Sequence, residues 1–230
     1  MISEQSIIQL RGITKKVSDG SHDLEILADC DLTVNQGEMV AIMGRSGSGK
    51  TTLLKLISLQ DLNFRGSYLF MGQDVKKWDQ KTRFHIMTQE IAFIYQDFLL
   101  IDDFTIIENV CLPLGYRGMR KKDRERKARK MIEKVGLIEK EKTPIRNLSG
   151  GEKQRVCIAR ALVQEASIIL ADEPTGNLDV RTARNIIDLL VQVNEAMGVT
   201  ILLVTHDKEI AKHCSKILFL EKGHLSDATV

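Results

Sequence analysis

Between positions 44 and 52 the chain runs Gly44-Arg45-Ser46-Gly47-Ser48-Gly49-Lys50-Thr51-Thr52. This satisfies G-x-x-x-x-G-K-[ST] at every fixed position. Glycines so placed let the backbone curl until successive N–H groups point at one anion, and a helix starting there adds its positive end. The pattern predicts a phosphate cradle, with the Lys50 ammonium on the β- and γ-phosphates of ATP and the Thr51 hydroxyl on Mg²⁺. A second cluster lies far downstream, where the apolar run Ser167-Ile-Ile-Leu-Ala ends in Asp172-Glu173. Carboxylates at the C-terminal end of such a strand stand where α/β sheets hold ligands. Asp172 is the candidate for the Mg²⁺ shell, and Glu173 the candidate base for an attacking water.

These groups need elements to hold them. The segment before Gly44 reads as strands, IIQLRGI, LEILADCDLTV and MVAIM, with turn residues between them. After the loop, TTLLKLISL has helical apolar spacing. YLF and IAFIY read as strands flanking a polar stretch, Gln73 to Gln89, that predicts another helix. From Asp97 to Gln164 the pattern is mostly helical, clearest at Asn109 to Leu114 and in MRKKDRERKARKMIEKVGL. The apolar runs SIILAD, VTILLVTH and SKILFLEKG follow, the first two separated by an amphipathic helix from Val180 to Met197. Strands alternating with helices predict a parallel sheet with crossover connections. The expected organisation is one α/β domain over 1–230. Residues 1–96 and 165–230 are expected to form its core, and residues 97–164 an inserted helical subdomain.

Composition narrows the classes of partner. The 43% hydrophobic and 28% charged fractions are those of a soluble globular chain. A net charge of +2 gives no reason to expect nucleic acid. No stretch approaches the roughly 18 unbroken apolar residues of a membrane span, and MISEQSIIQL lacks the features of a signal peptide. The expected location is cytoplasmic. Cys30, Cys111, Cys157 and Cys214 have no metal-ligand spacing and are expected to be reduced thiols.

Leu148-Ser149-Gly150-Gly151-Glu152-Lys153-Gln154, followed by RVCIARAL, resembles the signature of ATP-binding cassette (ABC) proteins, and the likeness spans essentially the whole chain. Further family marks appear in order: Gln96 after IAFIY, Gly176-Asn177-Leu178-Asp179 beyond Glu173, and His206 ending VTILLVT. The resemblance implies the P-loop ABC ATPase fold, in which an N-terminal antiparallel β subdomain within residues 1–96 joins the parallel core. It implies that Ser149, Gly150, Gly151 and the adjoining Glu152 meet the γ-phosphate held by the phosphate loop of a second copy, so that two ATP are sandwiched in a homodimer. It implies that His206 contacts the γ-phosphate in catalysis and that Gln96 reaches Mg²⁺ and the attacking water. It also implies an integral-membrane permease as partner, and hence a peripheral place on the inner face of the cell membrane.

The phrases GRSGSGKTTLL, FIYQDF, LSGGEKQR, ADEPTGNLD and VTHD resemble the subgroup of lipoprotein-release, macrolide-export and bacitracin-type peptide-resistance ATPases. An FtsE-like mechanical or signalling ATPase that transports nothing is the alternative reading. In the family, the region Asp97 to Leu114 forms a groove for the permease's coupling helix.

Two features stand apart. Family members stack adenine on an aromatic residue before the phosphate loop, whereas no Phe, Trp or Tyr occurs from Met1 to Gly44. The matching position is Val17, with His22 as a possible substitute. The run Arg117 to Lys130 carries nine basic and two acidic residues, expected to form a solvated helix face, with anionic lipid headgroups as the alternative contact.

Overall fold

The computed structural model describes residues 6–18 and 23–227. In chain order it contains β1 (Ser6–Ser18), β2 (Asp23–Asn35), β3 (Met39–Met43), α1 (Lys50–Ile57), β4 (Arg65–Phe70), β5 (Gln73–Asp74), α2 (Gln80–Gln89) and β6 (Ile91–Ile94). Three helices follow, α3 (Ile106–Tyr116), α4 (Lys121–Lys134) and α5 (Gly150–Leu162). The chain then returns through β7 (Ile168–Asp172), α6 (Val180–Met197), β8 (Thr200–Thr205), α7 (Lys208–Ala211), β9 (Lys216–Glu221) and β10 (His224–Asp227).

Two sheets result. The larger has the order β10-β9-β3-β8-β7-β6, parallel except where β10 pairs antiparallel to β9. Its strands β3 and β8 are buried at every residue, as expected for a parallel sheet covered on both faces. Alternate residues supply two cores. Ile169, Ala171, Ile201 and Leu203 pack with α3–α6, while Ile168, Leu170, Leu202 and Val204 pack with α1 and the smaller sheet. The smaller sheet, β2-β1-β4-β5, is antiparallel.

Helix α6 follows from its sequence. Asp179 caps its first turn by accepting from the Arg181 and Thr182 N–H groups, and Ala183, Ile186, Ile187, Leu190 and Val193 are buried at helical spacing. Gly198 ends it in the left-handed conformation, at φ 64. Strand β1 runs five residues beyond the IIQLRGI pattern. Register shifts between Leu10 and Ile13 and again up to Lys16 break the two-residue alternation that would have revealed it.

The basic run is mostly a surface helix face, with one exception. On α4, Arg120 and Arg126 pair with Asp123, and Lys121 and Arg129 with Glu125. Such exposed pairs contribute about 0–1 kcal/mol each. Arg117, however, turns inward and donates to the carbonyls of Thr88, Gln89 and Gln164. It fastens the C-terminus of α3 to the ends of α2 and α5. No helix among the described residues is long and apolar enough to cross a membrane.

Candidate functional site

Four adjacent parallel strands, β3, β8, β7 and β6, end on the same side of the large sheet. From those ends come the phosphate loop, His206, the Asp172-Glu173 pair and Gln96 respectively. Residues separated by up to 162 positions in sequence are thereby gathered at one edge.

The loop from Gly44 to Gly49 leads into α1, whose N-cap is Gly49 at φ 102. A Cβ on Gly49 would lie 2.9 Å from the Ile26 carbonyl oxygen, and one on Gly44 2.5 Å from that of Leu220. The loop is therefore pressed against β2 at Gly49 and against β9 at Gly44, with no room for a side chain at either glycine. By contrast, a Cβ on Gly47 would meet nothing within 4 Å. Lys50 Nζ lies over the loop and donates to the carbonyls of Gly44 at 2.8 Å and Arg45 at 3.0 Å. The curled backbone, the helix start and the ammonium fit a polyphosphate.

At the end of β7, burial pushes the Asp172 carboxyl above the usual aspartate range. Neighbouring Glu173 adds to that push and Lys50 opposes it. Glu173 adopts a left-handed backbone, φ 45, a conformation that side-chain-bearing residues adopt at functional sites when their surroundings enforce it. Its N–H donates to Val204 O at 2.9 Å. Its carboxylate Oε2 lies 2.7 Å from His206 Nδ1. The Glu173 side chain is mostly shielded at 16% exposure, while His206 projects at 70%. Thr51, Gln96 and Asp172 offer a hydroxyl, an amide and a carboxylate, an oxygen donor set of the kind Mg²⁺ prefers.

Gln96 is held through its backbone. Asn177 Nδ2 donates to Gln96 O at 3.0 Å, and the Gln96 amide lies so close to Gly176 that a Cβ there would come within 3.0 Å of Nε2.

Ser149 caps α5 in a capping box with Glu152. Glu152 Oε2 accepts from Ser149 N and from Ser149 Oγ, both at 2.9 Å. A hydrogen bond from Lys140, first, and the Ser149 N–H, second, hold the Glu152 carboxyl below the usual glutamate range. Ser149, Gly150 and Gly151 line a cleft of about 340 Å³ together with Asn177, Asp179 and Thr182. A Cβ on Gly151 would come within 2.6 Å of Thr182 Cγ2, so a side chain there would have to displace Thr182, and glycine lets α5 sit close against α6. The S-x-x-E spacing signals this capping box in the sequence. Sequence reasoning missed Lys140, Arg160 and the Asn177 contact, because no short motif records partners 12 to 81 residues apart.

Val17 is the last residue of β1 whose side chain is described. It pairs across the hairpin with Leu24, and both are exposed, at 47% and 65%. Ile26, which touches the phosphate loop, lies two residues beyond Leu24 on the same strand. His22 lies outside the described residues.

The Asp97–Leu114 segment is pinned rather than free. Asn109, fully buried on α3, accepts from Ile101 N and donates to the Ile101 and Thr105 carbonyls. Between α3 and α4 lies a cleft of about 450 Å³ lined by Phe104, Ile107, Cys111, Leu112, Tyr116 and Arg124 among others. Tyr116 is 88% exposed.

Fold and site together define a phosphate-loop ATPase cassette. The ABC transporter sequence profile matches residues 27–176. The lipoprotein-releasing system ATP-binding protein LolD of Alcanivorax borkumensis is 40% identical over 225 residues, covering 98% of this chain and 99% of its own. The uncharacterised ABC transporter ATP-binding protein YknY of Bacillus subtilis is 40% identical over 223 residues, covering 97% and 96%. Among solved structures, the dimeric ABC transporter cassette MJ0796 superposes with a TM-score of 0.85 at 35% identity, over 96% of this chain and 98% of that one. A dimeric post-hydrolysis state of MJ0796 bound to ADP and Pi gives 0.84 at 34% identity, with the same coverage. The chain belongs to the ABC transporter family and is an ATP-hydrolysing subunit of that family.

Proposed function

We propose that this ATPase drives a membrane permease of the lipoprotein- or peptide-extruding type, working as a homodimer closed around two ATP. The observation that carries this reading is the match to LolD, which extends over nearly the full length of both chains. The dimeric state of the MJ0796 cassette supports the assembly. In this proposal the chain works in the cytoplasm, peripheral to the inner face of the cell membrane.

In this reading the backbone from Gly44 to Gly49, with Arg45, Ser46, Ser48 and Thr52 along its wall, binds the triphosphate, and Lys50 neutralises its outer charge. Thr51, Gln96 and Asp172 would hold Mg²⁺, which would offset charge on the phosphate oxygens, and Gln96 would also reach the attacking water. Glu173 takes the proton of the attacking water, and His206 Nδ1, 2.7 Å from its carboxylate, orients that base towards the γ-phosphate. Ser149, Gly150 and Gly151 of the second copy present the α5 N-terminus to the same phosphate. The Lys140–Glu152 ion pair cancels a carboxylate that would otherwise repel it. The cleft between α3 and α4, with its aromatic rim and Arg124, is suited to an amphipathic segment of the permease.

Purification of the tagged chain from detergent-solubilised membranes is expected to recover a multi-spanning permease with an extracellular domain. Recovery of ribosomes or DNA alone would overturn the proposal, and a permease complex that hydrolyses ATP without moving substrate would favour the mechanical reading.

The adenine contact carries its own prediction. An aliphatic Val17 cannot stack on a base, a contact worth roughly 1–3 kcal/mol. Val17→Tyr is expected to tighten ATP binding about tenfold and to raise preference for ATP over GTP, measured by displacement of a fluorescent nucleotide. Unchanged affinities for both nucleotides would remove Val17 from the site.

A further inference from the structure

Phe98 and Leu99 follow Gln96 almost directly, and both have left-handed backbones, with φ 59 and 48. Among the described residues they are the only adjacent pair of non-glycine residues with positive φ. A side chain at each position crowds its own backbone in this conformation, so the turn must be held by something outside itself. One side chain holds both residues. Arg160 donates from Nη1 to Leu99 O and from Nη2 to Phe98 O, the latter at 2.7 Å. Cys157, one turn earlier on the same helix, donates from Sγ to Phe98 O at 3.2 Å. A planar guanidinium suits two neighbouring carbonyls, whereas a single ammonium cannot hold both in fixed geometry. Arg160 and Cys157 both lie on α5, the helix capped by Ser149. From the opposite side Asn177 holds the Gln96 carbonyl.

We propose that Arg160 is a positioning residue for ATP hydrolysis: its guanidinium maintains the strained Phe98–Leu99 turn, thereby fixing Gln96 and tying it to the helix that begins at Ser149. The inference rests on the reading of Gln96 as a group that serves the attacking water. The side-chain hydrogen bonds of Arg160 go to the Phe98–Leu99 turn, whereas Lys50 bonds the phosphate loop between β3 and α1, so the clamp is expected to act on turnover more than on nucleotide capture. Any shift of α5 along its axis is transmitted through these three hydrogen bonds to the turn and from there to Gln96.

Steady-state ATPase kinetics and thermal melting of the full chain test the proposal. Arg160→Lys retains the charge but loses the fork. It is expected to lower kcat about tenfold, the effect of one well-placed hydrogen bond to a charged group, with KM for ATP changed by less than about twofold. Leu99→Gly removes the Cβ that opposes φ 48. Introduced into the Arg160→Lys background, it is expected to restore kcat about fivefold, because the turn then holds its shape without the clamp. A residue that merely supports packing would give no such rescue: the added glycine would lower the melting temperature and leave kcat depressed, and that result would overturn the proposal. Gln96→Ala separates the two levels of inference. If it leaves kcat unchanged, the reading of Gln96 fails and takes the clamp with it. If it lowers kcat while Arg160→Lys does not, the site reading stands and the clamp alone is wrong.

Discussion

Glu173→Gln is expected to reduce ATP turnover by about 10²–10⁴, the range for loss of a positioned general base, while leaving ATP binding intact. The amide has nearly the same shape as the carboxylate, so the left-handed backbone at Glu173 and its N–H bond to Val204 O should persist. What disappears is the capacity to accept a proton from water. In the proposed sandwich, blocking hydrolysis also blocks the step that separates the two copies. A stable dimer should therefore elute on size-exclusion chromatography with ATP and Mg²⁺, and a monomer without them. A variant that remains monomeric at saturating ATP would contradict the sandwich arrangement. One that forms the dimer but hydrolyses at the normal rate would move the base elsewhere.

A comparable loss is expected from Gly49→Ala, this time in binding. At φ 102 any Cβ is strained, at a cost of about 1–3 kcal/mol, and this one would also lie 2.9 Å from Ile26 O and 3.1 Å from Ile26 Cγ2. The nearer of these, the Ile26 carbonyl oxygen, is backbone of β2 and cannot swing away as a flexible side chain would. Relief comes instead from displacement of the first turn of α1, where the phosphate-facing N–H groups lie. Nucleotide affinity should fall by about 10²-fold or more, corresponding to at least ~2.7 kcal/mol, in a chain that still melts cooperatively. Titration calorimetry against ATP checks this. Gly47→Ala is the contrast: its Cβ would meet nothing, although φ 79 keeps a backbone penalty, so its loss should be clearly smaller.

Much of the architecture was legible because the relevant signals are local. The apolar MVAIM, and TILLVT with threonine only at its two ends, read as buried strands and prove to be central parallel ones. Helix α6 runs over the very residues, Val180–Met197, whose amphipathic spacing predicts it. The Asn109 to Leu114 signal is the apolar middle of the longer α3, whose start is set by the Thr105–Glu108 capping box. The phosphate loop is a contiguous motif, and its context of strand before and helix after is present. What escaped is what depends on distance. Nothing around Phe98 and Leu99 marks them as left-handed, since neither is Gly, Asn or Asp; their conformation is imposed by a side chain about 60 positions later. Arg117 reads as the first charge of a solvated run and is in fact a carbonyl clamp, because α3 delivers it to the ends of two other helices. The contact between Glu173 and His206 is likewise marked by neither motif; the neighbouring strands β7 and β8 bring the two within 2.7 Å.

The adjacency of β3, β8, β7 and β6 has a metric consequence. Paired strands are spaced about 4.8 Å apart, so four neighbouring ends mark off roughly 14 Å in three equal steps. The sheet thus acts as a ruler, with its graduations occupied in turn by the phosphate loop, His206, the paired carboxylates and Gln96. Backbone hydrogen bonding enforces that spacing, and side-chain packing cannot easily alter it.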